Sequence, residues 1–354
     1  GLPQRIGDKI ARLVGAGAGE LVVADSTSVN LFKVLSAALS IAHADGTERR
    51  VILSERGNFP TDLYIAAALA RERGCELVLA DAPGEIDAHL AGGRVAVLML
   101  TQVDYKNGRL HDLAALTRRA HEHGALAVWD LAHSAGALPV ALKADDADFA
   151  VGCGYKYLNG GPGAPAFVWV HPRHAGRDPD TISQPLAGWM GHAAPFEFAP
   201  SYRPAAGIAR YLCGTPALLS MAALECGVDS VLAAEPLGGM AALRRKSLAL
   251  TDLFMALAEQ RCGGQGLTVL TPREHALRGS QVALACSEGA YAIVQALIAR
   301  GVVGDFRAPD VLRFGFTPLY LRFIDVWDAV EHLTQVLDSG EWRKARFHRK
   351  AAVT

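Results

Sequence analysis

The stretch Asp148-Phe-Ala-Val-Gly-Cys-Gly-Tyr-Lys-Tyr-Leu-Asn-Gly-Gly-Pro-Gly163 decides the fold. Its apolar residues, from 147 to 152, are typical of a short buried strand, and Lys156 follows shortly after that strand ends. Upstream, Val128-Trp-Asp-Leu-Ala-His133 shows a similar arrangement, because the apolar run over residues 125–129 leads directly into Asp130. The two stretches therefore predict a carboxylate and an amine at the ends of two buried strands.

This pair of groups suits pyridoxal 5'-phosphate (PLP). The cofactor needs an amine that bonds to its aldehyde and a carboxylate that keeps its pyridine nitrogen protonated. Each residue alone has an ordinary explanation: Lys156 as a surface side chain, Asp130 as a helix cap, and His133 as a helix-start residue bonded to a carboxylate. The order of these residues, with glycine and aromatic neighbours, favours a PLP site.

Strands and helices alternate along the first half of the chain. Apolar runs predict strands over 21–24, 50–54, 76–80, 95–101, 125–129, 147–152 and 166–170, with helices over 2–18, 29–43, 63–74, 85–91 and 112–124. Such alternation indicates an α/β fold with a large, mostly parallel seven-stranded sheet, and ligands bind at the carboxyl ends of its strands. The polar residues predicted there are Ser26, Thr27, Ser28, Thr101, Asp130, His133, Tyr155 and Lys156.

The second half of the chain changes character. Residues 178–216 lack periodicity and are rich in Pro, Gly and aromatic residues, which predicts an irregular excursion of functional or interface type. A helical stretch over 217–261, interrupted near Pro236, then leads into a smaller α+β region. We therefore predict a large PLP-binding domain over residues 1–235 and a small C-terminal domain over residues 236–354.

The bulk composition excludes several classes of partner. A net charge of −1 gives no reason to expect nucleic acid or a membrane surface as a partner. Six cysteines without Cys-x-x-Cys spacing argue against a disulfide framework or a metal site and fit a cytoplasmic protein. The basic stretch over residues 342–350 is predicted to be a solvated helix end or a frayed terminus.

Five strings of residues, in order along nearly the whole chain, resemble the kynureninases. These are PLP enzymes of the aspartate aminotransferase fold type (fold type I). The strings are Phe59-Pro-Thr-Asp62, Asp130-Leu-Ala-His133, Gly154-Tyr-Lys-Tyr-Leu-Asn159, Gly188-Trp-Met-Gly-His192 and Arg313 with Pro318-Leu-Tyr320. The resemblance implies a homodimer with shared active sites that hydrolyses L-kynurenine to anthranilate and L-alanine, in tryptophan catabolism and NAD biosynthesis.

The resemblance also implies a role for each matching residue. Lys156 would form the Schiff base with PLP, Asp130 would pair with the pyridine nitrogen, and Tyr155 would relay protons. Arg313 would hold the substrate α-carboxylate. The remaining cofactor shell would comprise Phe59 against the ring, with Pro60, Thr61, Asp62, Thr101 and His133. Its phosphate end would comprise Thr27, Ser28 and Tyr155, joined by Trp189 and Thr215 of the second subunit.

Two departures from the family pattern bear on these expectations. The family normally begins with a further segment carrying a Tyr-Leu-Asp-x-Asn-Ser-Leu-Gly-like string, so we expect this chain to be part of a longer one. Thr215 stands where the animal branch carries asparagine, which favours unsubstituted kynurenine over its 3-hydroxy form. The preference between these two substrates stays open.

Two other functions are compatible with the fold. A cysteine desulfurase or selenocysteine lyase would carry histidine before the lysine and a nucleophilic cysteine on a loop, whereas Tyr155 precedes Lys156 here. A degenerate PLP fold that only binds a partner is the second alternative. The joint presence of Lys156, Asp130 and Arg313 argues against it.

Overall fold

A computed structural model describes residues 1–46, 48–177, 182 and 184–349. The chain divides into two compact units. Unit 1 comprises Gly1–Val103 and His111–Gly239, and unit 2 comprises Asp104–Leu110 and the chain from Met240 onwards. The predicted boundary after residue 235 lies in the turn just before this division. The prediction also placed residues 104–110 in the first domain, whereas hydrogen bonds to residues of unit 2 place them in that unit.

Unit 1 is built on the predicted mostly parallel sheet, which is confirmed. Within the described residues it has seven strands in the order β1-β7-β6-β5-β4-β2-β3. Pairs among β2 to β6 are parallel, and β7 and β1 join antiparallel at one side. The strands are β1 (Leu21–Val23), β2 (Val51–Glu55), β3 (Glu76–Ala80), β4 (Val95–Thr101), β5 (Leu126–Asp130), β6 (Phe149–Cys153) and β7 (Ala166–Val170).

Helices cover the sheet because its strands are mostly apolar and most of them are buried along their length. Helix α2 is apolar on most of its surface and packs against the sheet strands β4 to β7. The helices of unit 1 are α1 (Leu2–Val14), α2 (Thr27–Ala44), α3 (Pro60–Glu72), α4 (Glu85–Ala91), α5 (Leu113–Glu122), α6 (Pro172–Ala175) and α7 (Leu218–Leu232). No helix in the described part of the chain has the length and apolar character needed to cross a membrane.

The predicted irregular excursion is ordered by short turns rather than by regular elements. Residues 178–181 and 183 of this prediction lie outside the described residues. The rest forms 3₁₀ turns at Trp189–Gly191, Pro195–Glu197 and Gly207–Tyr211. Tyr211 and Leu212 belong to the core of unit 1, so the segment is anchored at its end.

Unit 2 contains a four-stranded antiparallel sheet in the order β10-β11-β9-β8. Its strands are β8 (Leu267–Val269), β9 (Gln281–Cys286), β10 (Asp305–Arg307) and β11 (Val311–Gly315), and its helices are α8 (Gly239–Cys262), α9 (Ala290–Ala299), α10 (Phe323–Ser339) and α11 (Ala345–His348). The sequence did not predict β10. In the described part of the predicted basic tail the basic side chains are exposed, as expected of a solvated helix end, but the segment is not frayed, because Trp342 and Phe347 are buried in the core of this unit.

Candidate active site

The carboxyl ends of β4 and β5 bring three predicted site residues together. Asp130 is the last residue of β5 and pairs in register with Thr101, the last residue of β4. Asp62 lies in the first turn of α3, and its Oδ2 is 3.4 Å from the Thr101 hydroxyl. All three residues are buried. The edge of the sheet therefore holds two carboxyl groups in a small, largely dry space.

Burial and mutual repulsion keep these carboxyl groups from both being ionised. Burial is the main cause that raises the pKa of Asp62, to about 8, and the negative charge of Asp130 raises it further. Burial also raises the pKa of Asp130, while the nearby Lys156 ammonium and the amide of Ala132, which donates to Oδ1 at 2.7 Å, oppose that shift. Asp62 donates its proton in a hydrogen bond to Asp130. Two carboxyl groups this close repel each other when both are ionised, so Asp62 keeps its proton to a higher pH than an ordinary aspartate.

Asn58, which sequence reasoning missed, organises the loop that leads into α3. Its side-chain oxygen accepts from the Thr101 hydroxyl at 2.5 Å and from the Phe59 amide at 2.7 Å, and its amide donates to Ser54 at 3.0 Å. Phe59, partly exposed, is the N-cap of α3, with Pro60 and Thr61 in its first turn. The signal available in the sequence was a polar residue directly before Phe59, just after a buried strand.

Lys156 follows β6 and lies beside His133. Its Nζ is 3.0 Å from His133 Nε2, and the same ammonium lies 5.5 Å from the centre of the Tyr155 ring. His133 is buried, whereas about half of Tyr155 is exposed. Lys156 also acts electrostatically on Asp62 and Asp130. The structure therefore brings the predicted amine, histidine and carboxyl groups into one cluster.

A cavity of about 440 Å³ adjoins Tyr155 and the start of α2. Thr27 and Thr215 line it together with Tyr155, and Ser26 caps α2 by accepting from the Val29 amide at 3.3 Å. The first amides of a helix have no intrahelical acceptor, so this end of α2 suits an anion such as a phosphate. Ser28, the other predicted phosphate contact, is the second residue of α2.

A buried lysine, also missed by sequence reasoning, supports the wall of this cavity. Lys33 of α2 has no exposed surface, and its Nζ donates to Asp25 at 2.5 Å and to the Tyr211 carbonyl at 2.6 Å. Asp25 lines the cavity in a left-handed backbone conformation with φ of 46°. A lysine within an otherwise apolar helix was the available signal. This ion pair joins the turn before α2 to the segment that leads to Thr215.

Two further predicted site residues have other contacts. Trp189 contacts two exposed phenylalanines, with ring centroids 5.8 Å from Phe196 and 6.5 Å from Phe198. Arg313 belongs to β11 of unit 2, where its guanidinium donates to Asp305 and to the Tyr105 carbonyl. Among the described residues, no group of His, Cys, Asp and Glu has the arrangement of a metal site.

The groups of unit 1 fit PLP by their chemistry. A protonated pyridine nitrogen requires a carboxyl partner, and Asp130 with the neighbouring Asp62 offers one at the end of β5. An amine stands close to this pair, and the start of a helix with nearby hydroxyl groups can take a phosphate. The donor set therefore matches the ring, aldehyde and phosphate of the cofactor.

The raised pKa of Asp62 leads to a prediction for the cofactor-free protein. The folded pKa of about 8 exceeds the ordinary value of 3.8, so the folded chain holds a proton that the unfolded chain releases between these values. This stabilisation is complete below the unfolded pKa and is lost as the pH rises through the folded pKa. We expect the Asp62→Asn variant to lose a slope of up to about 1.4 kcal/mol per pH unit in the free energy of unfolding.

Urea unfolding between about pH 5 and about pH 8 measures that slope. The Asp328→Asn variant, which removes an exposed carboxylate of α10, is the matched control and should keep the wild-type slope. Equal slopes for Asp62→Asn and wild type would show that Asp62 does not hold the proton.

Comparisons with known proteins identify the family. Residues 243–333 match the kynureninase C-terminal domain, and residues 4–176 match the class-V aminotransferases. The chain is 55% identical to a kynureninase of Pseudomonas fluorescens and 53% identical to one of Burkholderia pseudomallei. Both alignments cover 100% of this chain and 83% of the relative.

Solved structures with the same fold are more distant in sequence. A cysteine desulfurase from Thermococcus onnurineus superposes with a TM-score of 0.78 at 17% identity, over 96% of this chain and 84% of that one. A C-DES variant with glycine covalently linked to PLP gives a TM-score of 0.78 at 18% identity, over 95% and 85% of the two chains. These matches confirm the PLP fold. With the sequence identity to the two bacterial relatives, they show that the chain belongs to the kynureninase family of PLP-dependent enzymes.

Proposed function

We propose that this chain hydrolyses L-kynurenine to anthranilate and L-alanine with PLP as its cofactor. The observation that carries the proposal is the cluster of Lys156, His133 and the Asp62–Asp130 carboxyl pair in a chain of this family. The desulfurase alternative has weaker support, because the desulfurase structures share the fold at only 17–18% identity and Tyr155 occupies the position before the lysine. An intact set of ionisable groups also disfavours a degenerate binding protein.

The cofactor would be held at three points. Lys156 would bond to its aldehyde, and Asp130, assisted by Asp62, would accept the hydrogen bond from its ring nitrogen. Its phosphate would lie at the start of α2, with Thr27 and Ser28. The other contacts would come from Phe59, Pro60, Thr61, Thr101, His133 and Tyr155. When bound, PLP supplies an electron sink for negative charge at the substrate α-carbon.

The residues of the chain then manage protons and orientation. The Lys156 amine accepts the α-proton of the substrate, and His133, at 3.0 Å, can share that proton. Tyr155, half exposed beside the cavity, is placed to relay a proton between the amine and solvent. Asp62 and Asp130 are buried, so few waters would compete with the ring nitrogen for the carboxyl pair. Arg313 would bind the substrate α-carboxylate.

The active unit in this proposal is a homodimer with shared sites. Trp189, Phe196 and Phe198 form an aromatic cluster in which the two phenylalanines are 75% and 76% exposed. An exposed cluster of this kind is typical of an interface. A second copy of the chain would cover it, and Trp189 and Thr215 would contribute to the phosphate end of the neighbouring site.

The cellular setting follows from the reaction and the cysteines. Cleavage of kynurenine belongs to tryptophan catabolism and NAD biosynthesis. The six cysteines of the described chain are all free thiols, which fits a reducing cytoplasm. Nucleic acid and membrane have no part in this proposal, since the net charge is −1.

Product fluorescence tests the proposed reaction. Purified protein saturated with PLP is incubated with L-kynurenine and, separately, with its 3-hydroxy form, and the aromatic product is followed by its fluorescence. We expect release of anthranilate together with an equal amount of L-alanine, quantified by chromatography. Release of sulfide or selenide from cysteine or selenocysteine, without cleavage of either kynurenine, would favour the desulfurase alternative.

Lys156→Ala should abolish covalent attachment of the cofactor. Borohydride reduction followed by peptide mass analysis should add the cofactor mass to the peptide that contains Lys156 in wild type and to no peptide in the variant. Lys143→Ala is a matched control, because Lys143 is half exposed and pairs with Glu20. A reducible cofactor bond that persists in Lys156→Ala would assign the attachment to another amine.

Complementation tests the shared sites. We expect Lys156→Ala and Trp189→Ala chains to be inactive alone and to recover activity after subunit exchange, because one site of each mixed dimer regains both residues. A mixture of Lys156→Ala and Asp130→Ala chains is the control and should stay inactive, since both residues come from the same subunit. If proven exchange restores nothing in the first mixture, each site is built within one chain.

A further inference from the structure

The contacts of Arg313 reveal a carboxylate to which the proposed function assigns no role. Strand β10 pairs antiparallel with β11, and the register sets Asp305 directly opposite Arg313. The Arg313 side chain is 9% exposed, and its Nε lies 3.0 and 3.1 Å from the two carboxylate oxygens of Asp305. Nη2 donates to the same carboxylate. Asp305 therefore accepts hydrogen bonds from the Nε and Nη2 side of a nearly buried guanidinium.

A backbone carbonyl holds another part of the guanidinium. Nη1 of Arg313 donates to the carbonyl of Tyr105, which lies in the 104–110 segment of unit 2. A guanidinium carries five N–H groups in a rigid fork. Asp305 and Tyr105 engage three of them, so one N–H on each terminal nitrogen is left over from the contacts among the described residues. Two N–H groups on the terminal nitrogens are what a carboxylate needs for a bidentate contact.

The charged groups in contact around Arg313 carry more positive than negative charge. Arg307, two residues after Asp305, donates to the same carboxylate at 3.2 Å, and its guanidinium lies 6.0 Å from the Tyr105 ring. Two guanidinium groups and one carboxylate leave a net charge of +1. Of these three groups only Arg313 is buried, so its charge is the one that a further carboxylate would stabilise most.

We propose that Asp305 is a positioning residue that fixes the Arg313 fork for the substrate α-carboxylate. The proposal rests on the function assigned to Arg313 above. Without Asp305, the long arginine side chain would lose the two contacts that fix the plane of its guanidinium, and a bidentate contact depends on that plane. Asp305 thereby raises affinity for carboxylate-bearing ligands in particular, and it does so without touching the ligand.

The experiment must distinguish this positioning role from the opposite one, in which Asp305 inhibits ligand binding. If Asp305 merely occupied the guanidinium, it would compete with the ligand carboxylate, and its removal would tighten binding. The side-on contact through Nε and Nη2 supports positioning, because it leaves the terminal fork available for a second carboxylate.

The test compares two ligands that differ only in a carboxylate. PLP-loaded protein is titrated with L-alanine and with ethylamine, which is L-alanine without its carboxylate, and the visible absorbance of the bound cofactor reports binding. We expect Asp305→Ala to weaken L-alanine binding about 10- to 100-fold, the range for losing well-placed charged hydrogen bonds, and to leave ethylamine binding within about twofold. Asp305→Asn, which keeps one acceptor, should show a smaller loss, with a raised KM for L-kynurenine and a lesser change in kcat.

Asp310→Ala is the matched control, since Asp310 is an exposed carboxylate in the turn of the same hairpin. This variant should bind both ligands as wild type does. Thermal unfolding of each cofactor-free variant reports whether the fold persists, and Asp305→Asn carries the test if Asp305→Ala does not fold. Tighter L-alanine binding in the Asp305 variants, equal weakening of both ligands, or no change would each overturn the proposal.

Failure of the proposed function gives a different pattern. Wild-type protein that binds L-alanine more tightly than ethylamine, and loses this preference in Asp305→Ala, supports the positioning role even if it does not cleave L-kynurenine. The opposite pattern is also possible. If wild-type protein cleaves L-kynurenine and Asp305→Ala still prefers L-alanine to ethylamine, the proposed function stands and the positioning role of Asp305 is refuted.

Discussion

The parallel pairing of β4, β5 and β6 is the constraint on which the site of unit 1 depends. Parallel strands end at the same edge of a sheet, and the apolar interior leaves that edge as the place where polar groups can be held. Asp130 and Thr101 are the last residues of their strands and lie in register. A slip of one residue would turn Asp130 to the opposite face of the sheet and separate it from Asp62 and Lys156.

The order of the strands and helices of unit 1 could be predicted from the sequence because the patterns that indicate them are local. Each strand is a continuous apolar run, and each of the main helices follows at a short distance, so the order of elements and the mostly parallel sheet could be read without any long-range information. Asp130 and Lys156 were predicted as site residues on the same kind of signal, since Asp130 directly follows an apolar run and Lys156 comes shortly after another. The structure adds the distance of 3.0 Å between Lys156 and His133, which links residues from different strand ends.

The features that sequence reasoning missed depend on distant partners. The Lys33 side chain can be completely buried because its ammonium group donates hydrogen bonds to Asp25 and to the carbonyl of Tyr211. Tyr211 lies far from Lys33 along the chain. Asn58 matters through its bond to Thr101. Strand β10 is only three residues long, and its pairing with β11 rather than its own composition makes it a strand. Composition alone likewise gave no sign that Trp342 and Phe347 pack into the core of unit 2 while the basic residues around them stay exposed.

Buried charge is unbalanced in opposite directions in the two units. In unit 1 burial raises the pKa of both Asp62 and Asp130, and the charge of Asp130 raises that of Asp62 further. In unit 2 Arg313 and Arg307 share the single carboxylate of Asp305, which leaves a positive charge. A protein that only needed stability would pair such charges or replace them with apolar side chains, because an uncompensated buried charge is costly. In our proposal a ligand group of the opposite sign offsets this cost in each unit, a ring cation beside the carboxyl pair and a carboxylate beside Arg313.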